Sequence, residues 1–292
     1  MRGAVRSRSP KAALAPGMDS VGVGSIGPST NWETALEGID TVIHLAARVH
    51  IGDESSADPI IEYRRINVEG TRHLAQSAHA QKVRRFVFVS SIKVNGEGRA
   101  VPYTEADQPA PVDPYGISKF EAENELTGIA DSTGLEVVIL RPPLVYGPEV
   151  KANFLQLIKL INRGIPFPFA GVRNQRSMIF LENLVDALVM CAIHPAAAGN
   201  TFLVSDGKDI STPQLFKMIS SALGKPARVF TLPSGFLRLL GKATGRSEDL
   251  SRLLDSLTVD STKIRTILGW EPPFSMEEGL KETVSWYQQT LR

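Results

Sequence analysis

Tyr115 and Lys119 stand four residues apart in the segment Asp113-Pro-Tyr-Gly-Ile-Ser-Lys119. On a helix that spacing puts both side chains on one face. An ammonium held beside a phenol favours the phenolate and draws the tyrosine down from its ordinary pKa of about 10. A phenol tuned in this way can serve as general acid and base for the proton of a carbinol. Upstream, Ser90-Ser91 closes the apolar run Phe86-Val-Phe-Val89. A serine at the end of a buried strand can hydrogen-bond the same phenolic oxygen.

A Tyr-x-x-x-Lys pair alone is a weak signal, since chance pairs are common on surface helices. Its setting strengthens it. Phe86–Ser91 reads as a fully buried strand ending in hydroxyls, and Pro109, Pro111 and Pro114 mark an irregular loop that delivers Tyr115 to a helix start. Asp40–Ala47 has the continuous apolar character of a parallel strand buried on both faces, and its end, Leu45-Ala46-Ala47, is small. From Pro59 to about Ala80 the pattern is helical, with Ile66, Val68, Leu74 and Ala75 as an apolar stripe. Val137–Pro143 reads as another buried strand, followed by Leu144-Val-Tyr-Gly-Pro148. Strands alternating with helices predict a doubly wound α/β sheet. Beyond Pro148 the regularity falls. A helix begins near Ala152, a Pro-broken loop spans Gly164–Phe169, and Met178–Ile193 reads as strand then helix. Thr201–Val204 reads as a short strand, Ser211-Thr-Pro213 as a helix cap, and about Ser275–Leu291 as the last helix.

The 292 residues, 42% of them hydrophobic, suffice for a sizeable core in one large or two closely joined domains. A formal net charge of +1 gives no electrostatic case for nucleic acid or membrane as partner. The single Cys191, in an apolar helical run, argues against a disulfide framework and against a cysteine metal site, so no metal is expected. No apolar run reaches the roughly 18 residues of a membrane span. The basic N-terminus (Arg2, Arg6, Arg8, Lys11) lacks the apolar stretch of a signal peptide, so a cytoplasmic location is expected.

A dinucleotide-binding fold opens with a strand and a glycine-rich turn whose backbone N–H groups hold the pyrophosphate. Gly22-x-Gly24-x-x-Gly27 has related spacing but runs into Pro28-Ser-Thr-Asn31 rather than a helix, and is read as a loop.

Ser91, Tyr115 and Lys119 together resemble the catalytic set of the short-chain dehydrogenase/reductase superfamily. The further segments match its extended branch, the NAD-dependent epimerase/dehydratase family, over nearly the whole chain. The resemblance implies a Rossmann-like, doubly wound parallel sheet with its first strand and Gly-rich turn missing, and a smaller C-terminal substrate domain. Residues 1–148 and about 177–205 would form the dinucleotide-binding domain, and about 149–176 and 206–292 the nucleotide-sugar-binding part. Gly3–Arg6, Val21–Val23 and Asp40–Ala47 would be the second, third and fourth strands, so an internal or truncated start is expected.

On the same resemblance Ser91, Tyr115 and Lys119 would be catalytic, with Lys119 also binding the nicotinamide ribose. Arg6, Ser25, Ile26, Leu45, Ala46, Ala47, Ser90 and Pro142 would line the cofactor. Arg6, with Ser7 and Arg8, permits a 2′-phosphate, so NAD and NADP both stay open. Asn153 and Arg176, with Arg252 as a weaker candidate, would hold the diphosphate and nucleotide of a UDP-sugar; Arg suits that task through bidentate contact. For Arg176 a solvated surface charge is an equal alternative. Asn67 matches a structural position, and Asn95 stands where the family pattern has Tyr.

Related dehydratases carry Asp-Glu directly after the catalytic Ser/Thr. Here Ile92-Lys93 follows, which disfavours elimination of water. Hydride transfer at C4 is left. The Ser-Ser-Ile-Lys-Val-Asn-Gly and Arg-Pro-Pro-Leu-Val-Tyr-Gly-Pro segments resemble most the UDP-N-acetylquinovosamine type of 4-ketoreductase, of surface-polysaccharide synthesis. The expected reaction is therefore 4-keto reduction of a UDP-sugar, with UDP-hexose 4-epimerisation as the alternative. A non-catalytic dinucleotide-binding regulator or an inactive truncated product is the reading from a different class. The family pattern also implies a homodimer through the helices near 59–80 and 115–130.

Overall fold

The computed structural model describes residues 1–6, 17–49, 58–99, 101–233, 235–236 and 247–291. Its strands are β1 (Arg2–Val5), β2 (Asp19–Gly22), β3 (Thr41–His44), β4 (Arg85–Val89), β5 (Glu136–Arg141), β6 (Leu144–Tyr146), β7 (Met178–Phe180) and β8 (Thr201–Leu203). Its helices are α1 (Glu33–Leu36), α2 (Pro59–Tyr63), α3 (Gly70–Ala80), α4 (Pro114–Thr133), α5 (Ala152–Asn162), α6 (Leu181–Ile193), α7 (Thr212–Ala222), α8 (Ser247–Leu254), α9 (Thr262–Leu268) and α10 (Met276–Gln289). The chain forms two compact units. The first holds Met1–Gly96, Gln108–Arg141 and Met190–Phe202, and the second Glu97–Asp107, Pro142–Val189 and Leu203–Arg292.

In the first unit β3, β4 and β5 run parallel, and β8 completes the order β3-β4-β5-β8. β4 and β5 are the buried strands the sequence predicts: Phe86, Val87, Phe88, Val138 and Leu140 are fully enclosed. Each such side chain contributes about 1.5–3 kcal/mol on burial. β3 departs from the expectation of burial on both faces. It sits at the sheet edge, paired to β4 only, and Ile43 and Leu45 stay exposed. The parallel pair β1-β2 forms a separate two-stranded sheet, and no described strand joins β1 to β3. The fold is thus of the parallel, Rossmann-like α/β kind, with β1-β2 and β3-β4-β5-β8 as separate pieces.

The helices owe their starts to local chemistry. Asp58 caps α2 through Ile60 N, and Asp113 caps α4 through Gly116 N, each followed by Pro at the first helical position. Gly134, at φ 76°, ends α4 in the left-handed conformation. Between α2 and α3 the helix continues as a π-helical segment, Arg64–Glu69. The apolar faces of α1, α3 and α4 (Trp32, Leu36, Leu74, Ala78, Ala122, Leu126) close over Phe86, Phe88 and Ile139. Arg85, 1% exposed, donates to the carbonyls of Cys191, Ala192 and His194 at the end of α6 and pairs with Glu136. It supplies the cation that a helix C-terminus favours. Burial pushes the Cys191 thiol up to about 12, so this cysteine is inert core.

The second unit has the parallel pair β6-β7 and an aromatic core in which Phe167 stacks on Phe216 at 4.5 Å. Tyr146 donates to Asp206 Oδ2 at 2.7 Å, while Asp206 Oδ1 accepts from Phe180 N and Asn183 Nδ2. Capping boxes at Ser211 and Ser275 start α7 and α10. Among the described residues no helix is long and apolar enough to cross a membrane, and no cluster of His, Cys, Asp or Glu could hold a metal ion.

Candidate active site

The end of β4 and the first turns of α4 bring Ser91, Tyr115 and Lys119 together in the first unit. The Ser91 side chain faces the Tyr115 phenol and favours its ionised form. Lys119 is buried, donates from Nζ to Val89 O at 2.8 Å, and lies 4.4 Å over the Phe88 ring and 6.0 Å from the Tyr115 ring centroid. Burial pulls the lysine down to about 7, with the Glu123 charge opposing.

The phenol does not follow the sequence expectation. Tyr115 is pushed up to about 12, first by its desolvated surroundings, then by the charge of Asp113 and by Tyr63, with the Ser91 hydroxyl working against them. Lys119 is anchored on a backbone carbonyl rather than on the phenol, and desolvation sets the direction of the Tyr115 shift.

The cofactor-side residues are placed unevenly. Ser90 is 2% exposed, and its Oγ has no hydrogen-bond partner. An orphaned buried hydroxyl costs about 1–3 kcal/mol unless something bonds it. It follows β4 directly, next in sequence to the Val89 carbonyl that holds Lys119. Leu45 and Ala46 are exposed past the end of β3, and Ala47 is half-buried. An unpartnered donor beside a lysine and small open residues fits a ribose with a flat ring. Ser25 is exposed in the turn after β2, Arg6 is exposed after β1, and Ser7 and Arg8 lie outside the described residues. The loop around Gly24, as expected, leads to no helix longer than α1. Instead it packs on α3: a Cβ on Gly70 would lie 2.7 Å from Ile26 Cγ2.

Asn67, in the π segment, accepts from Arg48 N at 2.7 Å and donates to Arg48 O and Ser118 Oγ. It ties the residue after Ala47 to α4, a structural task as expected. Asn95 accepts from Arg141 Nη1 at 3.0 Å, and Arg141 forms a buried ion pair with Glu123. The departure from Tyr at this position is thus absorbed by the fold.

Sequence reasoning missed Asp113 and Lys93. Asp113 caps α4, and the Lys93 ammonium pairs with its Oδ2. The cap was legible as Asp-Pro before a helix; the ion pair, twenty residues apart in sequence, was not.

In the second unit Pro142 is buried shortly before β6, and Asn153 is exposed in the first turn of α5. Arg176 Nη1 donates to Asp255 O at 3.1 Å, and its backbone bridges to Ile210 and Leu257. This guanidinium is held by the fold rather than loose in solvent. Arg252 lies on α8, and its side chain is outside the described residues.

Residues 5–205 match the model of the NAD dependent epimerase/dehydratase family. The chain belongs to that family. This epimerase/dehydratase is 45% identical over 270 residues to the UDP-glucose 4-epimerase of Vibrio cholerae, covering 91% of this chain and 82% of that one. It is 28% identical over 281 residues to the N-acetyl-alpha-D-glucosaminyl-diphospho-ditrans,octacis-undecaprenol 4-epimerase of Escherichia coli O157:H7, covering 90% and 82%. Among solved structures it resembles MoeE5 in complex with UDP-glucose and NAD, with a TM-score of 0.77 and 26% identity, covering 100% of this chain and 91% of that one. The protein is thus an NAD-dependent enzyme of epimerase/dehydratase type.

Proposed function

We propose that the protein is a UDP-hexose 4-epimerase. The observation that carries this reading is the Ser91–Tyr115–Lys119 constellation in a chain 45% identical to a UDP-glucose 4-epimerase. The 4-keto reduction expected from sequence uses the same residues, and the relatives favour the epimerase over it.

A bound nicotinamide supplies the acceptor and donor of a hydride at C4. The chain's own groups act at O4. Tyr115 takes the hydroxyl proton as phenolate and later returns it, while Ser91 donates a hydrogen bond to the same oxygen. Lys119 stands beside the phenol and binds the ribose hydroxyls, with Ser90 donating nearby. Any cation brought over this pocket favours the phenolate, against the desolvation that raises Tyr115. On this reading Asn153 and Arg176 serve the diphosphate and nucleotide, with Arg252 as the weaker candidate. The active form is a homodimer built through the helical faces of 59–80 and 115–130, which light scattering tests.

The test is incubation of the purified protein with NAD and UDP-glucose, followed by proton NMR. UDP-galactose formed without net change in reduced cofactor supports the reading. Net oxidation of NADH or NADPH on a UDP-4-keto-sugar, with no epimerisation, would replace it with the ketoreductase.

A further inference from the structure

Lys93 stands two residues after Ser91, where related dehydratases carry a carboxylate. Here its backbone N–H donates to Ser91 Oγ at 3.3 Å, and its ammonium pairs with Asp113 Oδ2. The other carboxylate oxygen of Asp113 accepts from Gly116 N at 2.7 Å. A Cβ on Gly116 would lie 2.9 Å from Lys93 O and 3.3 Å from Asp113 Oδ1. The turn carrying Ser91 and the turn carrying Tyr115 therefore touch at backbone distance, and one ion pair crosses the contact.

We propose that Lys93 is a positioning residue whose ion pair with Asp113 sets Ser91 against Tyr115 and screens the Tyr115 phenol from the Asp113 carboxylate.

Asp113 lies two residues from Tyr115, and its charge opposes the phenolate. The other groups facing the phenol are Lys119 on the same helix, Ser91 from the end of β4, and Tyr63 on α2, with its ring centroid 6.4 Å from that of Tyr115. Arg48 lies behind Tyr63, 5.7 Å over its ring. Lys93 is the cation seated on the Asp113 carboxylate. Asn in place of Asp113 keeps a helix cap while removing the charge. The two halves of the pair can thus be taken away separately, with opposite electrostatic signs.

The inference rests on Tyr115 acting as the acid and base, and its test is read without substrate or cofactor. Tyrosines are replaced biosynthetically by difluorotyrosine, a more acidic phenol. The Tyr115 resonance is assigned by its loss in Tyr115→Phe and titrated by fluorine NMR. Lys93→Met should move the midpoint up by about half a pH unit or more, and Asp113→Asn should move it down by a similar amount. The double variant should return near the parent, and Lys93→Arg should leave the midpoint in place. Should Lys93→Met fail to fold, Lys93→Gln carries the same prediction. Unmoved midpoints, or shifts of one sign in both single variants, overturn the proposal and leave the pair a plain fold contact. In turnover, the acid limb of the kcat/KM profile should move in the same directions. A parent that titrates as predicted but epimerises no UDP-hexose removes the functional reading and leaves Lys93 in its role.

Discussion

Tyr115 and Tyr146 are both tyrosines in desolvated surroundings, and their phenols meet opposite kinds of partner. Tyr146, in the second unit, donates to Asp206, whose other oxygen is fixed by Phe180 N and Asn183. Burial first, and then that carboxylate, hold its proton far above the ordinary range. A Cβ on Gly279 would lie 2.9 Å from its hydroxyl, so α10 presses directly upon it. Tyr115 instead faces the Ser91 hydroxyl, which favours its ionised form, and has Lys119 nearby. An accepting partner locks a phenol as a structural donor. A donating partner leaves its proton transferable once a further positive charge arrives.

That contrast breaks first at Tyr115. Tyr115→Phe should lower kcat by about a thousand-fold, within the range for a lost acid/base group, while Tyr146→Phe should leave turnover per folded molecule within a few-fold. Steady-state epimerisation, normalised to folded protein, checks both. Asp206→Ala should cost about 3 kcal/mol of stability, because Tyr146, Asn183 and a backbone N–H lose a buried acceptor together. Denaturant unfolding would show it as a lower midpoint.

Gly116→Ala is expected next, with a roughly tenfold fall in kcat/KM, equivalent to about 1.4 kcal/mol, as the added methyl pushes Lys93 O and the Ser91 turn away. An unchanged kcat/KM would show that the two turns need not meet so closely. The smallest effect is a trend with pH. Lys119 is held at about 7 against an ordinary 10.5, so between these values the unfolded chain binds the extra proton. Its contribution to stability is full above 10.5 and is lost as pH falls through about 7. The melting temperature of Lys119→Met, relative to the parent without cofactor, should therefore fall as pH is raised across this window. Calorimetry at its two ends is sufficient.

The sequence shows the site because its punctuation is local. Pro114 before Tyr115, and hydroxyls after the apolar run Phe86–Val89, mark a helix start and a strand end within a few residues. What it does not show depends on distance or on environment. Asp206 and Tyr146 are separated by 60 residues, and nothing near either predicts the pairing. The segment Glu97–Asp107 joins the second unit although strands of the first flank it, and Glu105 reaches Leu203 N across 98 residues. The direction of the Tyr115 shift was misread because four-residue spacing counts a neighbour's charge but not the desolvation of the phenol. The exposure of Ile43 on β3 was misread because an apolar run carries no record of what covers its faces.

The π-helical segment Arg64–Glu69 has a consequence for length variation in this part of the chain. A π turn closes its hydrogen bonds one residue wider than an α turn, so this segment carries one residue more than an α path between the same ends. Deleting that residue and relaxing to α geometry would leave α2 facing as it does now, with Tyr63 still edge-on to Tyr115. The same single-codon loss inside α3, where each residue sweeps about 100°, would turn everything before it and with it one wall of the site.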